Sequence, residues 1–327
     1  MLCRIYLLLL LFFCAIRSAQ AAAPNVVVTI KPIHSLVAGV MAGVKSPTLL
    51  MSGENSPHTQ PINPSELRKI RLADVVIWVG PSYEAPLRRI IESMKSRNHV
   101  VTLTDKPGMK LYPPRQGGLW GNHYHSDDKE KDDANADGIN PCENHDHDHH
   151  DGVSIDGHLW LDPQNAKVIV AAVTKELMLL DPSHGAKYLE NSQKVIRRLE
   201  DLNRELETLL IPVRDKPYIV YHDGTQYFDR RFKTKAVGVL MGDSHYGFNA
   251  QHFLEVCEYI SGHNIECVFT EPQFPTDKIH DLIEKTRTRV QTLDYLGVGL
   301  KADEDAYFLM MRRFTYGFLR GLKSQLN

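Results

Sequence analysis

The apolar residues fall into short continuous runs separated by polar stretches rich in Gly, Pro and Asn. Val26-Val27-Val28-Thr29-Ile30, Thr48-Leu49-Leu50, Val75-Val76-Ile77-Trp78-Val79 and Val100-Val101-Thr102 are largely β-branched, the pattern of strands covered on both faces. Between them, 36–41 and 87–94 read as helical. Pro64-Ser65-Glu66 opens a further helix, with Asn63 as N-cap and Glu66 in the reciprocal capping position. The alternation returns after residue 217. Strands are expected at 218–221, 236–239, 267–270 and 290–293, and helices at 225–230, 249–260, 278–286 and 304–322. Strands alternating with helices mean mostly parallel sheet flanked by helices. Between the two blocks, Asp162-Pro163 starts a helix that runs to Leu180. A second helix starts at Asp181-Pro182, and its stripe of Tyr188, Val195, Leu199, Leu202, Leu206 and Leu210 continues to Pro212. Roughly 30 residues at 1.5 Å each make roughly 45 Å, enough to bridge two lobes.

The expected fold class is therefore α/β, with two lobes of mostly parallel sheet flanked by helices and joined by one long helix. Residues 22–182 form the N-terminal lobe, 183–211 the linking helix and 212–327 the C-terminal lobe. Residues 1–21 stand apart. Arg4 precedes an apolar run from Ile5 to Ile16, and Ala19-Gln20-Ala21 fits a cleavage site, which together read as a secretory signal peptide. The run is too short to span a membrane. Bulky Phe12 and Phe13 before Cys14 do not suit a lipid anchor, so the mature chain is expected to be exported and not membrane-embedded.

One segment has no period at all. Residues 113–156 hold six histidines, eleven acidic residues and three basic ones, and are expected to form an exposed, mobile insertion. Blocks such as His145-Asp146-His147-Asp148-His149-His150 suit weak binding of several metal ions. Elsewhere composition mainly excludes. A net charge of −2 leaves no basic footprint for nucleic acid. Three cysteines remain after the signal. Cys257 and Cys267 are placed to pair in an oxidising compartment, or equally to remain buried thiols.

The candidate chemistry lies in three histidines at the ends of elements. His58 lies in Ser56-Pro57-His58, His158 in Asp156-Gly157-His158-Leu159-Trp160, and His222 follows the strand at 218–221. Neutral imidazole is the commonest metal ligand, and three imidazoles with one oxygen suit Zn²⁺. Taken singly, each is more often a hydrogen-bonded or surface histidine than a ligand.

A set of sequence words changes that balance. Lys31-Pro32-Ile33-His34-Ser35-Leu36-Val37, Ser56-Pro57-His58, Asn63-Pro64-Ser65-Glu66 and 73–80 occur in order, followed by Gly157-His158-Leu159-Trp160-Leu161-Asp162-Pro163, His222-Asp223, Glu271-Pro272-Gln273-Phe274 and Leu293-Asp294-Tyr295-Leu296-Gly297. On these words the chain resembles the zinc-specific solute-binding proteins of bacterial metal ABC transporters, the ZnuA type, over its whole mature length. The resemblance implies a metal site between the lobes with His58, His158 and His222 as ligands. It offers Asp294 or a water as the fourth, although Tyr295 stands where relatives carry Pro. Glu271 is expected to orient an imidazole, and His34 to be a bystander. The implied role is periplasmic: a monomer that binds Zn²⁺ with high affinity and delivers it to a membrane permease with its cytoplasmic ATPase, without catalysis. The alternatives are a zinc-dependent hydrolase, for which no H-E-x-x-H or nucleophile elbow is present, and a manganese-binding or adhesin-type relative.

Overall fold

The computed structural model describes residues 22–94, 99–121, 154–241, 249–274, 279 and 288–323. The signal-peptide reading, the His/Asp blocks of the insertion and all of the helix expected at 278–286 except the buried Ile279 lie outside these residues.

The first lobe contains β1 (Val26–Val28), α1 (Lys31–Val40), β2 (Thr48–Leu49), α2 (Pro64–Arg71), β3 (Val75–Trp78), α3 (Arg88–Met94) and β4 (His99–Thr102). Its strands are all parallel, in the order β2-β1-β3-β4. Every residue of β1 and β3 is buried, so the continuous apolar runs reflect a sheet covered on both faces. The capping box at α2 forms as the sequence suggests: Asn63 Oδ1 accepts from Ser65 N and Glu66 N, and Glu66 Oε2 accepts from Asn63 N. Two helices follow. In α4 (Pro163–Leu180), Asp162 caps the first turn through Gln164 N and Pro163 fills N1. The long helix α5 (Gly185–Leu210) has 26 residues, about 39 Å. It starts later than the pattern suggests, because Asp181 accepts from Ser183, His184 and Tyr188 and folds residues 182–184 into a separate 3₁₀ turn.

The second lobe repeats the first. It comprises β5 (Pro217–Val220), α6 (Gln226–Phe232), β6 (Lys235–Val239), α7 (Ala250–Gly262), β7 (Cys267–Thr270), β8 (Arg289–Thr292) and α8 (Ala306–Leu322). Its sheet is again wholly parallel, in the corresponding order β6-β5-β7-β8. Beneath it Tyr218, Phe228, Phe269, Phe314 and Phe318 pack ring to ring. Helix α5 contacts both halves. Near its start, Asn191 Nδ2 donates to the Val40 and Ala42 carbonyls (3.0 and 2.8 Å). Near its end, Asn203 accepts from Arg231 and Glu205 accepts a forked pair from Arg312.

On this structure one expectation changes and one open alternative is resolved. The ends of the insertion are packed rather than mobile: Arg115 pairs with Asp223 and Asp229, Gln226 Nε2 donates to Pro113 O, and Asp156 is buried. Cys257 and Cys267 are both free thiols. Cys267 lies in the sheet core, where burial pushes its pKa up to about 12, a value at which a thiol is inert.

Candidate metal centre

In an open parallel sheet, ligands collect beyond the carboxyl ends of the strands where the strand order reverses. In the second lobe that point lies between β5 and β7. His222 follows β5 by two residues, and Glu271 directly follows β7. The first lobe contributes His58 from the loop after β2. His158 enters from the 3₁₀ turn Leu159–Leu161, just before α4.

The three imidazoles meet. His158 Nε2 is 3.4 Å from His58 Nε2 and 3.3 Å from His222 Nε2, and all three offer one nitrogen within 4.8 Å of the others. His158 and His222 are buried, while His58 is half-buried. The remaining nitrogens explain this convergence. His158 Nδ1 faces Asp156 Oδ1 at 2.8 Å, and His222 Nδ1 faces Glu271 Oε1 in a short hydrogen bond. An ionised carboxylate only accepts, so both Nδ1 atoms carry the proton and both Nε2 atoms present lone pairs. Lone pairs turned toward one another at van der Waals range repel unless a cation lies between them. Zn–N bonds of about 2.0–2.1 Å in a tetrahedron place neighbouring nitrogens about 3.3–3.4 Å apart, the spacing found here.

Backbone and packing hold these positions. Asp156 Oδ1 also accepts from His158 N, and Asp156 Oδ2 from Gln226 Nε2. Gly157 is required for close approach, because a Cβ there would come within 2.4 Å of Tyr83 Cβ. The Tyr83 ring stands edge-on to both His58 (4.5 Å between centroids) and His158 (5.1 Å). Burial pulls the His222 pKa down, but Glu271 first, then Asp223 and Asp156, outweigh it, so the net shift is upward.

Asp294 is not in this cluster. Its Oδ1 accepts from the Leu296 and Gly297 amides (3.0 and 2.8 Å) and shapes the turn after β8. The next residue approaches the site instead: Tyr295 Oη is 3.2 Å from His222 Nε2 and donates to Glu271 Oε2. His34 is a bystander in the core, its Nε2 facing Pro47 O at 3.1 Å. Sequence reasoning missed Asp156 and Tyr295. Asp156 had a signal, an acid two residues before a histidine, but it sat within a stretch without periodicity. Tyr295 had only a one-residue departure from the family words.

Two lobes of like topology, with a three-imidazole centre in the cleft between them, define a metal-binding protein of the solute-receptor class. The chain belongs to the ZnuA family, zinc-uptake complex component A, periplasmic, whose model matches residues 26–317. It is 36% identical over 311 residues to the high-affinity zinc uptake system protein ZnuA of Brucella abortus, covering 93% of this chain and 92% of that protein. Identity to the ZnuA protein of Yersinia pestis is 29% over 309 residues, 92% of each chain. The fold is also that of the periplasmic zinc-binding protein TroA from Treponema pallidum, with a TM-score of 0.73 at 17% identity, covering 92% of this chain and 99% of that one. The family is a solute-binding component of a transporter, not a class of enzyme. No helix among the described residues is long and apolar enough to cross a membrane.

Proposed function

We propose that this protein is the periplasmic receptor of a zinc importer. It binds one Zn²⁺ tightly between its lobes through His58, His158 and His222, with a water rather than Asp294 completing the tetrahedron, and it passes the ion as a monomer to an ABC permease driven by a cytoplasmic ATPase. Residues 1–21 direct export, 22–182 and 212–327 form the two lobes, and 183–211 join them. The observation that carries the reading is the convergence of three Nε2 atoms, two of them with the lone pair fixed by carboxylates behind the rings. Neutral imidazoles favour Zn²⁺ over Mn²⁺, which prefers oxygen donors. A metal held by three imidazoles in a buried cleft suits capture and release, and the family relationship favours transport over hydrolysis.

The test is calorimetric titration of the metal-free mature chain with Zn²⁺ and with Mn²⁺. One tight zinc equivalent that Mn²⁺ does not displace is expected. Absence of a saturable zinc equivalent, or preference for Mn²⁺, overturns the reading.

A further inference from the structure

The turn after β8 brings a buried phenol beside His222 and Glu271. We propose that Tyr295 is a positioning residue of this centre: its hydroxyl holds Glu271, and through Glu271 the His222 ring, so that His222 Nε2 is aimed at the bound ion. The inference rests on the three-histidine reading above.

Glu271 is shared between two donors. Its Oε1 accepts a hydrogen bond from His222 Nδ1 and its Oε2 accepts one from the Tyr295 hydroxyl. Without the phenol, that second oxygen loses its donor and the carboxylate gains freedom to rotate. The imidazole it orients would follow, and an imidazole off axis makes a weaker bond to a metal. A neutral phenol donates through its hydroxyl.

The position of the hydroxyl is itself over-determined. Tyr295 O accepts from Trp160 Nε1 at 3.0 Å, and Trp160 O accepts from Tyr307 OH at 2.8 Å. The Tyr295 ring stands edge-on to His158 with centroids 5.4 Å apart. Gly224 clears the remaining side, since a Cβ there would lie 3.2 Å from His222 Nε2 and 3.3 Å from Tyr295 Oη.

The experiment compares the full chain with Tyr295→Phe, Glu271→Gln and the double variant. Phenylalanine keeps the ring contacts and removes only the hydroxyl. Zinc affinity at the first equivalent is read by competition with a chromophoric chelator, and the geometry by the visible d–d bands of bound Co²⁺. Tyr295→Phe is expected to bind zinc about tenfold more weakly, with an altered Co²⁺ spectrum, while the metal-free protein still unfolds in one cooperative transition. The double variant is expected to bind no more weakly than Glu271→Gln alone, because the hydroxyl acts through that carboxylate. Parental affinity and spectrum in Tyr295→Phe, or losses that multiply in the double variant, overturn the proposal. A parent chain without a tight zinc equivalent overturns the three-histidine reading instead.

Discussion

The two lobes share a strand order, and each places a buried glutamate just beyond the strand at its switch point. They use it differently. In the first lobe Glu84, six residues past β3, turns its Oε2 onto the amides of Val79 and Gly80 at 2.8 and 3.2 Å and closes a backbone loop. In the second lobe Glu271, directly past β7, turns its carboxylate onto His222 and Tyr295. The histidines differ in the same way. His222 is buried and backed by an acid. His58, from the first lobe, sits half-buried in a loop against the Tyr83 ring. If these residues are the ligands, as proposed, like topology gives one lobe a buried ligand backed by a carboxylate and the other a half-buried one in a loop.

The largest effect should come from the buried side. His222→Ala is expected to weaken zinc binding by more than about a hundredfold, beyond the loss typical of an outer partner. His58→Ala is expected to cost less and to speed zinc release, measured by chelator chase. Equal losses and equal release rates in the two variants would break the comparison.

A smaller effect falls on pH. His222 has a raised pKa, so in the metal-free protein its proton persists to a higher pH than on an ordinary imidazole near 6.5. Binding requires that proton to leave. Affinity should be level above the raised pKa and fall as pH drops through it, with the fall beginning above pH 6.5. Glu271→Gln removes the main upward influence, so its fall should begin at lower pH while overall affinity drops by about ten- to a hundredfold. Titrations at several pH values separate the two changes.

The smallest effect on the metal should come from Glu84. Burial raises its pKa from 4.5 to about 7. The folded protein therefore keeps this proton over a range in which the unfolded chain has lost it, and stability falls as pH rises from about 4.5 to about 7. Glu84→Gln retains a neutral acceptor for the two amides. It is expected to flatten that slope by an amount on the order of 1–3 kcal/mol and to leave zinc affinity unchanged. Denaturation of the metal-free protein at pH 5 and pH 8, beside a zinc titration, checks both halves.

Much of the fold was legible because its signals are local. The continuous β-branched runs at Val26, Val75 and Cys267 require a sheet covered on both faces, and the Asn63–Glu66 and Asp162–Pro163 words start helices whatever surrounds them. The stripe from Tyr188 to Leu210 set the long helix for the same reason, since a 3.6-residue period is a property of the chain alone. The start of that helix was not legible, because the competing turn at 182–184 depends on how Asp181 shares its oxygens.

At the site the division is sharper. The sequence by itself determined that three histidines stand at element ends within family words, and that imidazole is the donor available there. Only the tertiary structure decided that their Nε2 atoms converge, because residues 58, 158 and 222 come from separate elements and their spacing is a long-range quantity. It also decided which of two adjacent side chains, Asp294 or Tyr295, lies beside His222. Adjacent side chains in a turn point to different sides, and which one faces the cleft depends on φ and ψ. Here the amides of Leu296 and Gly297 draw the Asp294 carboxylate into the turn, and Trp160, bonded to the Tyr295 carbonyl, fixes the phenol beside His222.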